Sequence, residues 1–288
     1  MLLSLFSEAL PSFTRIDKTF IQNQVYPSTY VKYMNSRELF GLDSKVAVVT
    51  GGSSGIGKSI AKGLVEAGAE IAICARNAKR CRECASELSK IGKKVVGIGC
   101  DVGNPTEVNT LFERVIREFG KVDILVNNAG IAWAGSPQDL RIDDWEKVMK
   151  VNVTGTFLCS QVAGKIMIKQ CSGRIINITS VFGLLGTDII DAISYNASKG
   201  AIISFTKDLA VKWAKYNIKV NAIAFSYAKT HLTEWAIKNR RNQILRRTPL
   251  GRLLEEDDIK GVAIFLASNA SNYVTGQVLC VDGGWTSI

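Results

Sequence analysis

From residue 46 onward, short and wholly apolar runs alternate with longer stretches of helical periodicity, and few architectures tolerate that order. Residues 46–50, 70–74, 95–99, 123–127, 174–179, 218–223 and 277–281 read as strands. Runs without polar alternation are apolar on both faces, as strands inside a parallel sheet are. Residues 56–67, 78–90, 106–119, 143–169, 194–215, 232–245 and 256–266 read as helices. Gly68 stops the first of them, and Glu255 supports the N-terminus of the last. Strict strand–helix alternation predicts an α/β fold, a doubly wound parallel sheet in three layers (α/β/α), forming a single domain over residues 43–288. Residues 1–42 mix aromatics with Ser, Thr and Asn without a sustained period and read as an N-terminal extension.

Composition narrows the class. The chain has 288 residues, 47% hydrophobic and 22% charged, which is ample for a core. No apolar run reaches the roughly 18–20 residues of a membrane span. Residues 1–6 are apolar but lack a basic flank, and Glu8 interrupts them, so no secretory leader is expected. Seven cysteines without regular spacing predict a reducing, cytoplasmic setting. Cys81 and Cys84 form a lone C-x-x-C, read as two side chains on one helix face. A zinc site needs about two further ligands, and the chain holds one histidine, His231, so no metal is expected. No G-x-S-x-G elbow is present.

The net charge of +10 is uneven, for residues 229–252 alone carry +6, from Lys229, Lys238, Arg240, Arg241, Arg246, Arg247 and Arg252 against Glu234. A basic stripe suits an anionic substrate or an acidic partner; it equally suits a solvated helix face. No zinc finger, RNP motif or heptad run accompanies it, so nucleic acid is not expected as a partner. His231 reads as a surface residue of this segment.

Thr50-Gly51-Gly52-Ser53-Ser54-Gly55-Ile56-Gly57 lies between the first strand and the first helix. Glycines there permit a tight turn and close backbone approach to a pyrophosphate, and the helix N-terminus adds free N–H groups and a positive dipole end. The sheet is therefore expected to be of Rossmann type. A carboxylate at the end of the second strand would select the ribose 2′-hydroxyl of NAD. Ala75 and Arg76 stand there instead, and a guanidinium suits the 2′-phosphate of NADP.

Tyr195 and Lys199 open a later helix at i, i+4, on one face and a turn apart. An unperturbed tyrosine keeps its proton at neutral pH, and a neighbouring ammonium favours its phenolate and lowers its pKa. Such a tyrosine can give a proton to a carbonyl oxygen or take one from an alcohol. Alone, the pair is an ordinary helix pattern; its companions give it meaning.

With those motifs in order, followed by Asp101, Asn127-Asn128-Ala129-Gly130, Asn152 and Ser180, the chain from Leu42 to the C-terminus resembles a short-chain dehydrogenase/reductase. The resemblance implies that Tyr195 is the general acid/base, that Lys199 holds the nicotinamide ribose and tunes Tyr195, that Ser180 bonds the substrate oxygen, and that Asn152 supports a water relay to Lys199. It implies NADP(H) contacts at Gly51, Ser53, Ser54, Gly55, Ile56, Gly57, Asp101, Val102, Asn128, Ala129, Gly130, Tyr195, Lys199 and Thr230, beside Arg76. It also implies a homo-oligomer, a dimer or a homotetramer, with the long helices and the C-terminal strand at its interfaces.

Two departures stand out. The family usually carries Pro-Gly four residues past an Asn after the sixth strand, where this chain has Phe225-Ser226 after Asn221. The stretch 183–194 is about two residues longer than in the commonest members, which reshapes the substrate mouth. The tail, residues 261–268 and 273–285, is similar to gluconate 5-dehydrogenase-like members and to 3-oxoacyl-(acyl-carrier-protein) reductase-like members, both of which act on anionic clients. The expected activity is NADP(H)-dependent interconversion of a ketone and a secondary alcohol on a small anionic substrate. The rival from another class is a non-catalytic NADP-binding sensor.

Overall fold

The structure is a computed structural model, and it describes residues 34–288. Most of the segment read as an extension, residues 1–33, lies outside the described residues. A short helix, α1 (Ser36–Phe40), precedes seven strands, all paired in parallel: β1 (Val46–Thr50), β2 (Glu70–Ala75), β3 (Val95–Gly99), β4 (Ile124–Asn127), β5 (Gly173–Ser180), β6 (Ile218–Phe225) and β7 (Val278–Val281). Their order in the sheet is β3-β2-β1-β4-β5-β6-β7. The order reverses beside β1, so the crevice of a doubly wound sheet opens past the carboxyl ends of β1 and β4.

The crossovers are α2 (Gly55–Glu66), α3 (Ala78–Ser89), α4 (Pro105–Phe119), α5 (Ile142–Met149) with α6 (Gly155–Gln170), α7 (Ile193–Trp213), and α8 (Glu234–Arg246) with α9 (Glu256–Ala267). Their ends are set by local chemistry. The Asn77 side chain accepts from Arg80 N and caps α3. Asn104 accepts from Thr106 N and Glu107 N ahead of Pro105, capping α4, which ends on left-handed Gly120. Glu255 and Asp258 form a reciprocal capping box at α9, so the support expected from Glu255 is found.

The strands sort their side chains by the two-residue period of the pleat. Ala47 and Val49 of β1 face one cluster with Ile60 and Leu64 of α2 and Ile259, Ala263 and Leu266 of α9. Val46 and Val48 face the other, with Leu111 and Phe112 of α4 and Cys159, Ala163 and Met167 of α6. Both faces are covered, giving the three layers, and β1 is buried throughout. Leu42, the last residue of the segment read as an extension, is fully buried in the first cluster. Cys81 and Cys84 are likewise buried on one face of α3. Among the described residues, no helix is long and apolar enough to cross a membrane.

One helix expectation needs correction. Residues 143–169 are not one continuous α-helix, because a π-helical turn, Lys150–Thr154, separates α5 from α6. Wide turns of this kind occur chiefly at functional sites, and this one holds the candidate residue Asn152, which is fully buried.

Candidate active site

The turn after β1 is shaped by what presses on it. Gly51 has φ +63, and a Cβ there would lie 2.7 Å from Asn128 Nδ2. A Cβ on Gly57 would lie 2.3 Å from the Gly51 carbonyl oxygen. Only glycine fits either position. Asn128 and Thr50 fasten this turn to the end of β4. Asn128 Nδ2 donates to Thr50 O (2.9 Å) and Gly51 O (3.2 Å), while Thr50 Oγ1 accepts from Asn128 N and Ala129 N, both at 3.0 Å.

Past the turn lies a cleft of about 910 Å3. Gly51, Ser54, Gly55, Ile56, Gly57, Arg76, Asp101, Val102, Asn128, Ala129, Gly130 and Thr230 all line it, as do Arg80, Lys229 and Lys238. Ser53 does not: it is buried behind the turn. The α2 N-terminus opens into the cleft, and its N-cap residue Ser54 makes no side-chain cap, which leaves first-turn N–H groups available to an anion. Asp101 turns its carboxylate onto Gly103 N at 2.9 Å. A backbone cradle closed to any Cβ, a helix N-terminus and an exposed guanidinium fit a phosphorylated dinucleotide.

Ser180, Tyr195, Lys199 and Asn152 form a second group and are not among the residues lining this cleft, although NADP(H) contacts were expected at Tyr195 and Lys199; Asn152 and Lys199 lie behind its wall at Gly130. β5 ends on Ser180, whose hydroxyl donates to Phe225 O (3.4 Å) and accepts from Phe182 N (3.2 Å). Lys199 is buried, donates to Ile178 O at 2.7 Å, and stands 5.4 Å from the centre of the Tyr195 ring. Burial pushes its pKa down to about 8. Burial also raises the Tyr195 hydroxyl above its ordinary range, while the Ser180 hydroxyl acts the other way. The expected lowering of Tyr195 by Lys199 is thus not the net effect: the ammonium sits by the ring and is itself desolvated, so burial dominates.

Asn152 joins the two groups. Its side chain brackets Ile131, accepting from Ile131 N (2.8 Å) and donating to Ile131 O (2.9 Å), and it donates to Ser198 Oγ at 2.9 Å. Ser198 donates in turn to the Tyr195 carbonyl at 2.7 Å. Ile131 lines the cleft. A Cβ on Gly130 would fall 3.3 Å from Asn152 Oδ1 and 3.7 Å from Lys199 Nζ, so the missing side chain lets the cleft wall approach both. Thr156 Oγ1 donates to the Asn152 carbonyl at 2.7 Å.

Two hydroxyl partners carried no marker in the sequence: Ser198, and Thr179, which donates to Lys199 O at 2.8 Å; Thr50 opens the glycine motif, but its fastening role appears only in the fold. Asn127, Asn177 and Thr206 also form a buried amide–hydroxyl chain beneath the site. Thr and Ser are common throughout the chain, and nothing local marks these members.

The Phe225-Ser226 departure is absorbed by the sheet. Phe225 is paired with Ser180 and Val281 and is buried, and Ser226 N bonds Val281 O at 3.4 Å. Residues 184–192 run between Ser180 and α7, and a second hollow of about 540 Å3 lies against them, lined by Asp188, Asp191, Trp235 and Arg240. In the basic segment, Arg247 pairs with Asp188 and Arg252 with Asp258. His231 is fully exposed beside Glu234.

Comparison with known proteins agrees with this fold. The family model described as enoyl-(acyl carrier protein) reductase matches residues 51–286. The 2-dehydro-3-deoxy-D-gluconate 5-dehydrogenase of Dickeya dadantii is 41% identical over 249 residues, spanning 85% of this chain and 97% of that protein. The 3-oxoacyl-(acyl-carrier-protein) reductase FabG of Aquifex aeolicus is 37% identical over 244 residues, spanning 84% and 98%. A crystal structure of a gluconate 5-dehydrogenase from Burkholderia cenocepacia, in complex with NADP and tartrate, is similar at a TM-score of 0.85 and 37% identity, covering 88% of this chain and all of that one.

Proposed function

This chain belongs to the short-chain dehydrogenase/reductase family, and from that premise we propose that it is an NADP(H)-dependent oxidoreductase interconverting a ketone and a secondary alcohol on a small anionic substrate, of the keto-sugar-acid class. The observation that carries the reading is the hydrogen-bonded path from the cleft wall at Ile131 through Asn152 and Ser198 to Tyr195. It ties the acid/base candidate to the cleft that fits the cofactor.

The glycine turn and the α2 N-terminus would hold the pyrophosphate, and Arg76 the 2′-phosphate. Asp101 and Val102 line the adenine end, while Asn128, Ala129, Gly130 and Thr230 line the remainder. Bound there, NADP(H) supplies or accepts a hydride. Ser180 donates a hydrogen bond to the substrate oxygen and orients it toward Tyr195. Tyr195 Oη gives its proton to that oxygen in reduction and takes it back in oxidation. Lys199 stabilises the phenolate left behind, and Asn152 keeps Lys199 and the cleft wall in register.

The basic segment supports an anionic substrate, since Lys229 and Lys238 line the cleft and Arg240 the hollow beside it. The similarity to gluconate and 2-dehydro-3-deoxy-D-gluconate dehydrogenases supports a sugar acid. A second reading, reduction of a 3-oxoacyl chain on an acidic carrier, rests on the likeness to FabG and on the same basic face. Residues 43–288 would form the catalytic unit and residues 1–42 an extension of it, and the working form would be a cytoplasmic homo-oligomer, with neither nucleic acid nor membrane as partner.

The test follows NADPH consumption by one enzyme preparation with 5-keto-D-gluconate and with a short 3-oxoacyl thioester. Faster turnover of the keto-sugar acid is the expected result. Preference for the thioester moves the protein to acyl reduction. NADPH binding without turnover on either would favour a sensor.

A further inference from the structure

Tyr227 lies two residues past β6 and is 4% exposed, yet its hydroxyl has no hydrogen-bond partner among the described residues. Buried hydroxyls are nearly always bonded, and an exception in a folded chain calls for a ligand or a cost. The ring cannot swing to find a partner. Phe182 meets it edge-on at 5.7 Å, Trp285 lies against it at 5.7 Å, and its carbonyl is held by Leu254 N at 3.0 Å.

Its ring partner Phe182 and the strand end just before it both reach Ser180. Phe182 N donates to Ser180 Oγ, and Ser180 Oγ donates to Phe225 O, two residues before Tyr227. The same apolar cluster takes in Ala236 and Ile244 of α8, so the phenol stands where the catalytic strand end meets the basic helix. Burial, with a smaller contribution from Tyr195, pushes the Tyr227 hydroxyl up to about 12, so Tyr227 remains a neutral donor at neutral pH.

We propose that the Tyr227 hydroxyl donates a hydrogen bond to a substrate hydroxyl on the carbon next to the reacting one, and thereby selects vicinal hydroxy-ketones and diols such as sugar acids over monofunctional ketones. This rests on the reading of Ser180 and Tyr195 as the reacting site. A 3-oxoacyl thioester has no oxygen on that adjacent carbon, so the orphaned phenol favours the sugar-acid reading of the two given above. A site that bonds a substrate hydroxyl rejects analogues that lack it.

The test is Tyr227→Phe. Affinity for D-gluconate is measured by calorimetry with NADP bound, and kcat/KM is measured for D-gluconate and for cyclohexanol. The variant is expected to bind D-gluconate about ten-fold more weakly, at the strength of one lost hydrogen bond. Its preference for D-gluconate over cyclohexanol should fall by a similar factor, with no loss of melting temperature. Equal affinity in both proteins, a parallel loss on both alcohols, a lowered melting temperature or no binding of D-gluconate by the wild type would each overturn the proposal. Tighter binding by the wild type without turnover would leave it standing while the catalytic reading fails. Turnover of D-gluconate with equal affinity in the variant would do the reverse.

Discussion

Lys199 carries a heavy electrostatic cost within the candidate site. Its pKa falls from 10.5 to about 8 on burial, a penalty on the charged folded form of roughly 3 kcal/mol at neutral pH. The unfolded chain binds that proton more tightly, so stability is lowered in full below pH 8 and recovers as pH climbs from there toward 10.5. Lys199→Met should therefore raise stability at pH 7, by about 1 kcal/mol or more after loss of the bond to Ile178, seen as a higher thermal midpoint, with a gain that shrinks by pH 10. A midpoint lowered at pH 7 would contradict the burial argument. The same titration should make carbonyl reduction fall above about pH 8. Arg76 is the other telling residue. Arg76→Ala should weaken NADPH binding roughly 10- to 100-fold, as loss of a charged hydrogen bond does, and leave NADH nearly untouched; fluorescence titration of both cofactors distinguishes this from a general loss. Arg76, Tyr195 and Lys199 were legible because their spacing or position carried charge logic. Ser198 and the fastening role of Thr50 were not, because a hydroxyl acquires a role only from the partner that folding brings to it.

At the scale of elements, the glycine turn was readable and the π turn was not. Strand, glycines and helix occur in sequence order, and each glycine answers a local need. Gly57→Ala would drive a methyl into the Gly51 carbonyl and Asn128, so a loss of about 1–3 kcal/mol is expected, together with weaker NADPH binding. Denaturant unfolding and cofactor titration check both, and an unchanged turn would show that the backbone there yields. Residues 143–169, by contrast, keep helical composition throughout. One extra residue in a turn leaves that pattern nearly intact, and it takes the tertiary bonds of Asn152 to Ile131 and Ser198 to reveal the widening. The basic helix was also read within two residues. Its charge was visible in the sequence, but the seating of Ala236 and Ile244 beside Tyr227 depends on segments far apart in the chain.

At the scale of the molecule, the alternation of strands and helices dictated the sheet, and the sheet dictated where chemistry gathers. Every candidate polar group follows a strand end or sits on the next helix, because the carboxyl ends converge at the reversal beside β1. Several large apolar side chains are exposed, among them Phe157 on α6 and Val211 on α7, Val211 at 80%, and such side chains suit contact between copies. If copies meet through these helices, Val211→Arg should lower the native mass measured by light scattering, and an unchanged mass would argue against contact there. The substrate mouth was the least legible region, since its shape depends on residues 184–192 and α8 together. The central claim concerns Tyr195, and Tyr195→Phe tests it most directly. With NADPH and 5-keto-D-gluconate at saturation, turnover should drop by about 10²–10⁴ while NADPH affinity and the melting temperature hold. Retention of most of the wild-type turnover would contradict the account.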